Sequence, residues 1–203
     1  MPYLQSQHFR KTEERLTYGW AAPSPVQMEV ANLTADPLTG FANLKEFYRL
    51  GSPLVGTCLS EGASCAVAIV DIDHFRRLND THCEETIAEV LKAIAAKLDA
   101  ACGGGRHLLA RLDDEEFGLL LVGFDGAAAT DFCEKLRLEI ADMRIASGDN
   151  HFSITVSIGL AEVYGPETFD NYLNAAEQFL FMAKSFGRNQ VFSDHTVVLQ
   201  AVG

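Results

Sequence analysis

The stretch His107-Leu-Leu-Ala-Arg-Leu-Asp-Asp-Glu-Glu-Phe-Gly-Leu-Leu-Leu-Val122 sets two apolar runs on either side of Asp113-Asp-Glu-Glu116. Each run has the length and aliphatic content of a strand, and a short polar break between two such runs is the spacing of a hairpin. The acidic tetrad is therefore a turn. Taken alone, such a turn is a solvated hairpin tip with no chemistry to perform.

On the N-terminal side, Glu85 to Ala101 carries Ile87, Val90, Leu91, Ile94 and Leu98 at the three-four spacing of an amphipathic helix, closed by Gly103-Gly-Gly105. Before it, Ser64 to Asp71 is an unbroken Ala, Val and Ile run ending in carboxylates, which predicts a central strand buried on both faces. A turn at Thr34-Ala-Asp-Pro-Leu-Thr-Gly40 leads to a helix beginning near Asn43, and Gly51-Ser-Pro53 is expected to interrupt it. On the C-terminal side the pattern predicts a helix over Ala127 to Met143, a strand over Phe152 to Val163, a helix over Phe169 to Phe186 and a short strand over Gln190 to Phe192. The order describes an α/β protein, more narrowly an α+β sandwich: a mainly antiparallel sheet of about five strands flanked by helices. Residues 1–33 read as a leader, with a short polar helix from Ser6 to Tyr18 and an extended linker at Ala21-Ala-Pro-Ser-Pro25. The domain proper spans 34–193, and 194–203 form a tail.

The chain has 203 residues, enough for one domain with a full core, and its 48% apolar and 22% charged residues are those of a folded globular protein. A formal charge of -12 repels phosphate backbones and acidic lipid surfaces, which argues against nucleic acid and membrane as partners. The cysteines Cys58, Cys65, Cys83, Cys102 and Cys133 are odd in number, with no CxxC pair and no zinc spacing, and read as reduced thiols in a cytoplasm. No apolar run is long enough to span a bilayer.

Four further segments, in order, bracket the hairpin. Asp36-Pro-Leu-Thr-Gly-Phe-Ala-Asn43 resembles DxLTGLxN, with Leu44 where an arginine is usual; Asp71-Ile-Asp-His-Phe-Arg-Arg-Leu-Asn-Asp80 resembles DIDHFKxxND; Thr155-Val-Ser-Ile-Gly-Leu-Ala161 resembles TxSxGxA; and Ala183-Lys-Ser-Phe-Gly-Arg-Asn-Gln-Val191 resembles AKxxGRNxV. These are the motifs of the GGDEF family, the fold of diguanylate cyclases, and Arg111 and Phe117 place Asp113-Asp-Glu-Glu-Phe117 in register with the GGDEF signature. The resemblance implies a palm-like fold whose active members bind one GTP per subunit with two magnesium ions and join the nucleotides of two facing subunits. It puts Asp71, Glu115 and the Ile72 carbonyl on the metal-binding positions, where hard oxygen ligands suit magnesium. Lys184 and Arg188 fall on phosphate-contacting positions, Asn79 on a guanine-contacting position, and Glu116 on the carboxylate proposed to assist deprotonation of the attacking 3'-hydroxyl.

Three departures weigh against turnover. Asp113 and Asp114 replace the signature glycines, which let backbone approach the nucleotide and tolerate positive φ. At about 5 Å and an effective dielectric near 20, each added carboxylate facing a phosphate costs about 3 kcal/mol. Ala88 stands where the family's aspartate accepts hydrogen bonds from guanine, and losing that acceptor costs roughly 1.5 to 3 kcal/mol. Gly104 and His107 occupy the two ends of the RxxD motif of feedback inhibition, so the cyclic di-GMP inhibitory site is absent, and Glu116 becomes a vestige.

Each feature also has an ordinary reading. Lys184 and Arg188 complement a helix C-terminus, Asn79-Asp80 signals a helix start, Asp73 and His74 form a turn and cap, and Phe179, Phe181 and Phe186 serve core and dimer packing. The leading reading is a GGDEF domain without cyclase activity, acting as a signalling or protein-interaction module with another protein or its own copy. A second is a receptor in which Asp71, Glu115, Lys184 and Arg188 hold Mg-GTP without turnover. A third is a working cyclase with an unusual loop.

Overall fold

The computed structural model describes residues 34–103, 106–147 and 150–196. The expected leader, Gly104 and the residues from 197 onward lie outside them. The element order is β1 (Ala42–Asn43), α1 (Leu44–Glu61), β2 (Cys65–Ile72), α2 (Phe75–Thr81), α3 (Glu84–Cys102), β3 (Leu108–Arg111), β4 (Glu116–Val122), α4 (Gly126–Ala141), β5 (Ile145–Ser147), β6 (Asn150–Phe152), β7 (Val156–Val163), α5 (Phe169–Ser185) and β8 (Val191–Ser193).

The sheet has six strands in the order β1-β3-β4-β2-β7-β8, one more than the five or so expected, because the two-residue β1 adds a parallel edge beside β3. The pairings β3/β4, β4/β2 and β2/β7 are antiparallel, and β7/β8 is parallel. The hairpin forms as expected, with Arg111 opposite Phe117. β2 lies at the centre and is buried along its whole length. Its side chains alternate between two cores. Ala66, Ala68, Val70 and Ile72 face the layer of α3 and α4, whereas Cys65, Val67 and Ile69 face that of α1 and α5. Helices on both faces explain why this strand shows no polar alternation.

Three expectations change. Gly51-Ser-Pro53 does not interrupt α1, which runs unbroken from its Asn43 cap. The buried stripe Phe47, Gly51, Val55 and Cys58 holds the helix on the sheet, while Pro53 is exposed, so the hydrogen bond it lacks falls on the solvent side. Gly51 is a contact residue, since a Cβ there would run into the Phe169 ring. The strand expected over Phe152 to Val163 is divided: β6 pairs with β5 in a separate two-stranded sheet, and β7 starts at Val156. Between them the chain is tied to the end of β2, where the Asp73 amide donates to the Thr155 carbonyl at 2.9 Å. Asn79 and Asp80 do not start a helix; they lie near the end of α2, and Cys83 caps α3.

The core part of the expectation for Phe179, Phe181 and Phe186 also changes. Phe181 and Phe186 are 71% and 68% exposed. The core stripe of that helix runs through Phe169, Tyr172, Leu173, Ala176, Leu180 and Ala183, and the other phenylalanines lie off its spacing.

Candidate functional site

β2 and β4 are antiparallel, so the C-terminal end of one meets the N-terminal end of the other. Asp71 and Glu116 are direct cross-strand partners, and the Ile72 amide donates to the Glu115 carbonyl at 3.3 Å. The hairpin tip and the end of β2 thereby form one acidic mouth. The last turn of α5 closes it from the side: Lys184 Nζ lies 2.6 Å from Asp71 Oδ2, with the Asp71 side chain only 6% exposed.

Electrostatics at the mouth follow from this crowding. Burial is the largest influence on Asp71 and raises its carboxyl above the ordinary range, although Lys184 pulls the other way. Burial first, then the neighbouring Asp71 and Asp113, raise Glu115. Glu116 is pushed from 4.5 to about 7 by burial, then by Asp71 and Glu177, against the opposing Lys184. Like charges held at adjacent strand ends cannot all ionise cheaply.

The tip itself is held from within. The Arg111 guanidinium donates to the Asp114 carbonyl at 2.7 Å and to Asp36 Oδ2 at 3.2 Å, joining the entry turn to the hairpin. The Asp114 amide donates to Asp113 Oδ1 at 2.9 Å. Both aspartates are exposed, and neither adopts positive φ. The expectation that glycine is needed here for conformational freedom therefore does not hold; space and charge are the differences that remain.

The other expected residues are distributed as follows. Arg188 is exposed in a loop where it and Asn189 have φ of 66° and 46°. That loop is pinned by Asp73, whose Oδ2 accepts from the Asn189 amide at 3.0 Å and from Thr155 Oγ1 at 2.7 Å, while Oδ1 accepts from Ser157 Oγ at 2.6 Å. Asp73 is thus a buried structural hub. Asn79 is exposed on α2 and Ala88 half-buried on α3. His107 accepts from the Val122 amide at 3.1 Å through Nδ1 and packs edge-on to Phe124, so it stays with the sheet edge. Burial, then Arg106, lowers its pKa. Glu177 is a neighbour of Glu116 that the motifs did not bring out; it sits seven residues before Lys184, on the same side of α5.

Asp71, Glu115 and the Ile72 carbonyl have the oxygen chemistry magnesium prefers. The Asp71 carboxylate is also paired with Lys184. Among the described residues, no helix is long and apolar enough to cross a membrane.

The family profile "Diguanylate cyclase, GGDEF domain" matches residues 33–190. Diguanylate cyclase DgcM of Escherichia coli K12 is 33% identical over 158 residues, covering 78% of this chain and 38% of that protein. The chain thus spans well under half the length of that relative. Among solved structures, the GGDEF domain of DgcB from Caulobacter crescentus in complex with c-di-GMP superposes with a TM-score of 0.74 at 27% identity, over 79% of this chain and 93% of that one. Diguanylate cyclase SiaD of Pseudomonas aeruginosa, in complex with its activator SiaC, gives 0.75 at 27% identity, over 83% of this chain and 64% of that one.

Proposed function

This chain belongs to the GGDEF family of diguanylate cyclase domains in cyclic di-GMP signalling, and from that membership we propose that it is a catalytically silent member. It acts in the cytoplasm as a signalling or protein-interaction module, through another protein or a second copy of itself. The observation that carries this reading is the hairpin tip, where the exposed Asp113 and Asp114 stand in place of the signature glycines. Two added negative charges stand where the phosphates would approach. Ala88 leaves guanine without its charged acceptor, so even an admitted nucleotide is poorly specified. The family's sheet is kept while its chemistry is not, which is the outcome of selection on folding and on a partner surface.

A nucleotide receptor without turnover is the second reading, favoured by the exposed Arg188 close enough to Asp71 to lower its pKa. Calorimetric titration with GTP and magnesium separates the two. The silent module gives no binding heat at millimolar ligand; saturable heat without product establishes the receptor.

A further inference from the structure

Opposite its core stripe, α5 presents a line of exposed residues, Asn174, Gln178, Phe181 and Ser185, at the four-three-four spacing of a seam between two helices. With Glu177 and Met182, the first three line a shallow groove of about 530 Å³. We propose that this line is the contact between two copies of the chain, packed through antiparallel α5 helices about a two-fold axis near Phe181.

None of the four residues is ionised. On α3 the corresponding outward line holds Glu85, Glu89, Lys92 and Asp99, the usual composition of a helix surface facing solvent. Depletion of charge around an aromatic ring and a methionine is the composition of a contact centre. Phe181 is 71% exposed and, among the described residues, stacks on no other ring, whereas the comparably exposed Phe186 already stacks on Phe192 with ring centroids 5.5 Å apart. The side-chain amides of Asn174 and Gln178 likewise make no hydrogen bond among the described residues, which leaves them free to bond across the contact.

Charge selects both the occupant and its direction. An isologous contact sets one patch against the same patch, so a chain of formal charge -12 meets its own copy closely only where its surface is neutral. The flanks then orient the pair. Asp170 and Glu177 lie in the first and middle turns of α5, Lys184 in its last turn and Arg188 just beyond it. Antiparallel copies bring the acidic turns of one helix to the basic end of the other, whereas parallel copies set like charge against like. The line spans about three turns of one helix. That is small against the about 800 Å² per partner of a standard interface, so the dimer is reversible.

A second copy as partner presupposes the interaction module proposed above. Sedimentation equilibrium of the full chain, from micromolar to millimolar concentration, tests it without nucleotide, so the outcome is separate from that of the GTP titration. The expected result is a monomer-dimer equilibrium. Phe181→Glu, at an exposed position that does not threaten folding, places two like charges near the axis and should raise the dissociation constant at least about tenfold. Cross-linking with a short bismaleimide reads the direction, in a Cys83→Ser background that removes the one exposed cysteine among the described residues. Gln178→Cys, near the axis, should couple to its own copy, and Asn174→Cys, farther from it, should not. A monomer over the whole range, a dimer unmoved by Phe181→Glu, or self-coupling at Asn174→Cys as efficient as at Gln178→Cys would overturn the proposal.

Discussion

The ammonium of Lys184 meets the carboxylate of Asp71 at 2.6 Å, tying the last turn of α5 to the end of the central strand. Lys184 is also the opposing charge that acts on Glu115 and Glu116, which Asp71 repels. One side chain therefore holds together an end of the fold that carries an excess of negative charge.

Replacing it tests that role. Lys184→Met keeps the stem and removes the charge, which leaves a buried carboxylate uncompensated and should cost about 1–3 kcal/mol near pH 8, at the lower end for a buried pair because the lysine is partly solvated. Without Lys184 the Asp71 pKa rises further, so protonation on acidification relieves the loss. Urea denaturation should show a smaller cost near pH 5. Equal costs at both pH values would mean that the ion pair contributes packing and no electrostatics.

Glu116 gives a second pH signature. Its folded pKa of about 7 lies above the ordinary 4.5, so the stability linked to its proton is complete below that ordinary value and lost as pH rises through about 7. Glu116→Gln should flatten this decline and raise stability near pH 8 by about 1 kcal/mol, after allowance for solvent at a half-buried carboxylate. Thermal midpoints across this window decide it; a variant that parallels the parent at every pH assigns the decline to other groups.

Packing makes a prediction independent of charge. At Gly159 a Cβ would overlap the Ala176 carbonyl and the backbone of Leu180, so β7 and α5 touch main chain to main chain. Gly159→Ala should cost about 3 kcal/mol or more by denaturant titration. Gly51→Ala meets only the Phe169 ring, which can turn aside, and should cost less. The reverse order of the two would indicate that the helix, not the ring, is the element that yields.

The central elements were legible because their patterns were strong and local. β2 announced itself by eight buried residues, the hairpin by two aliphatic runs around a polar turn, and α3 by its stripe from Ile87 to Leu98. Pro53 misled because a helix interrupter on an exposed face is overruled by the burial of Phe47, Val55 and Cys58. β1 pairs through two residues, too few for any periodicity, and the break between β6 and β7 is set by the Asp73 contacts from a distant strand. At the candidate site the motifs located Asp71, Glu116 and Lys184, but nothing local signalled that Lys184 would turn to Asp71, nor that Glu177 would approach Glu116.

The attribution of silence to named positions has its own control. Asp113→Gly, Asp114→Gly and Ala88→Asp combined should restore detectable nucleotide binding by calorimetry, since about 3 kcal/mol of repulsion per carboxylate at the tip is removed and the guanine acceptor regained. A triple variant as inert as the parent would move the cause to other departures, Leu44 first among them.

The most direct measurement is the incubation of the purified, unaltered chain with GTP and magnesium, followed by chromatographic analysis for the cyclic dinucleotide. A tip crowded with carboxylates predicts unconsumed GTP. Accumulation of cyclic di-GMP above a protein-free control would contradict the account.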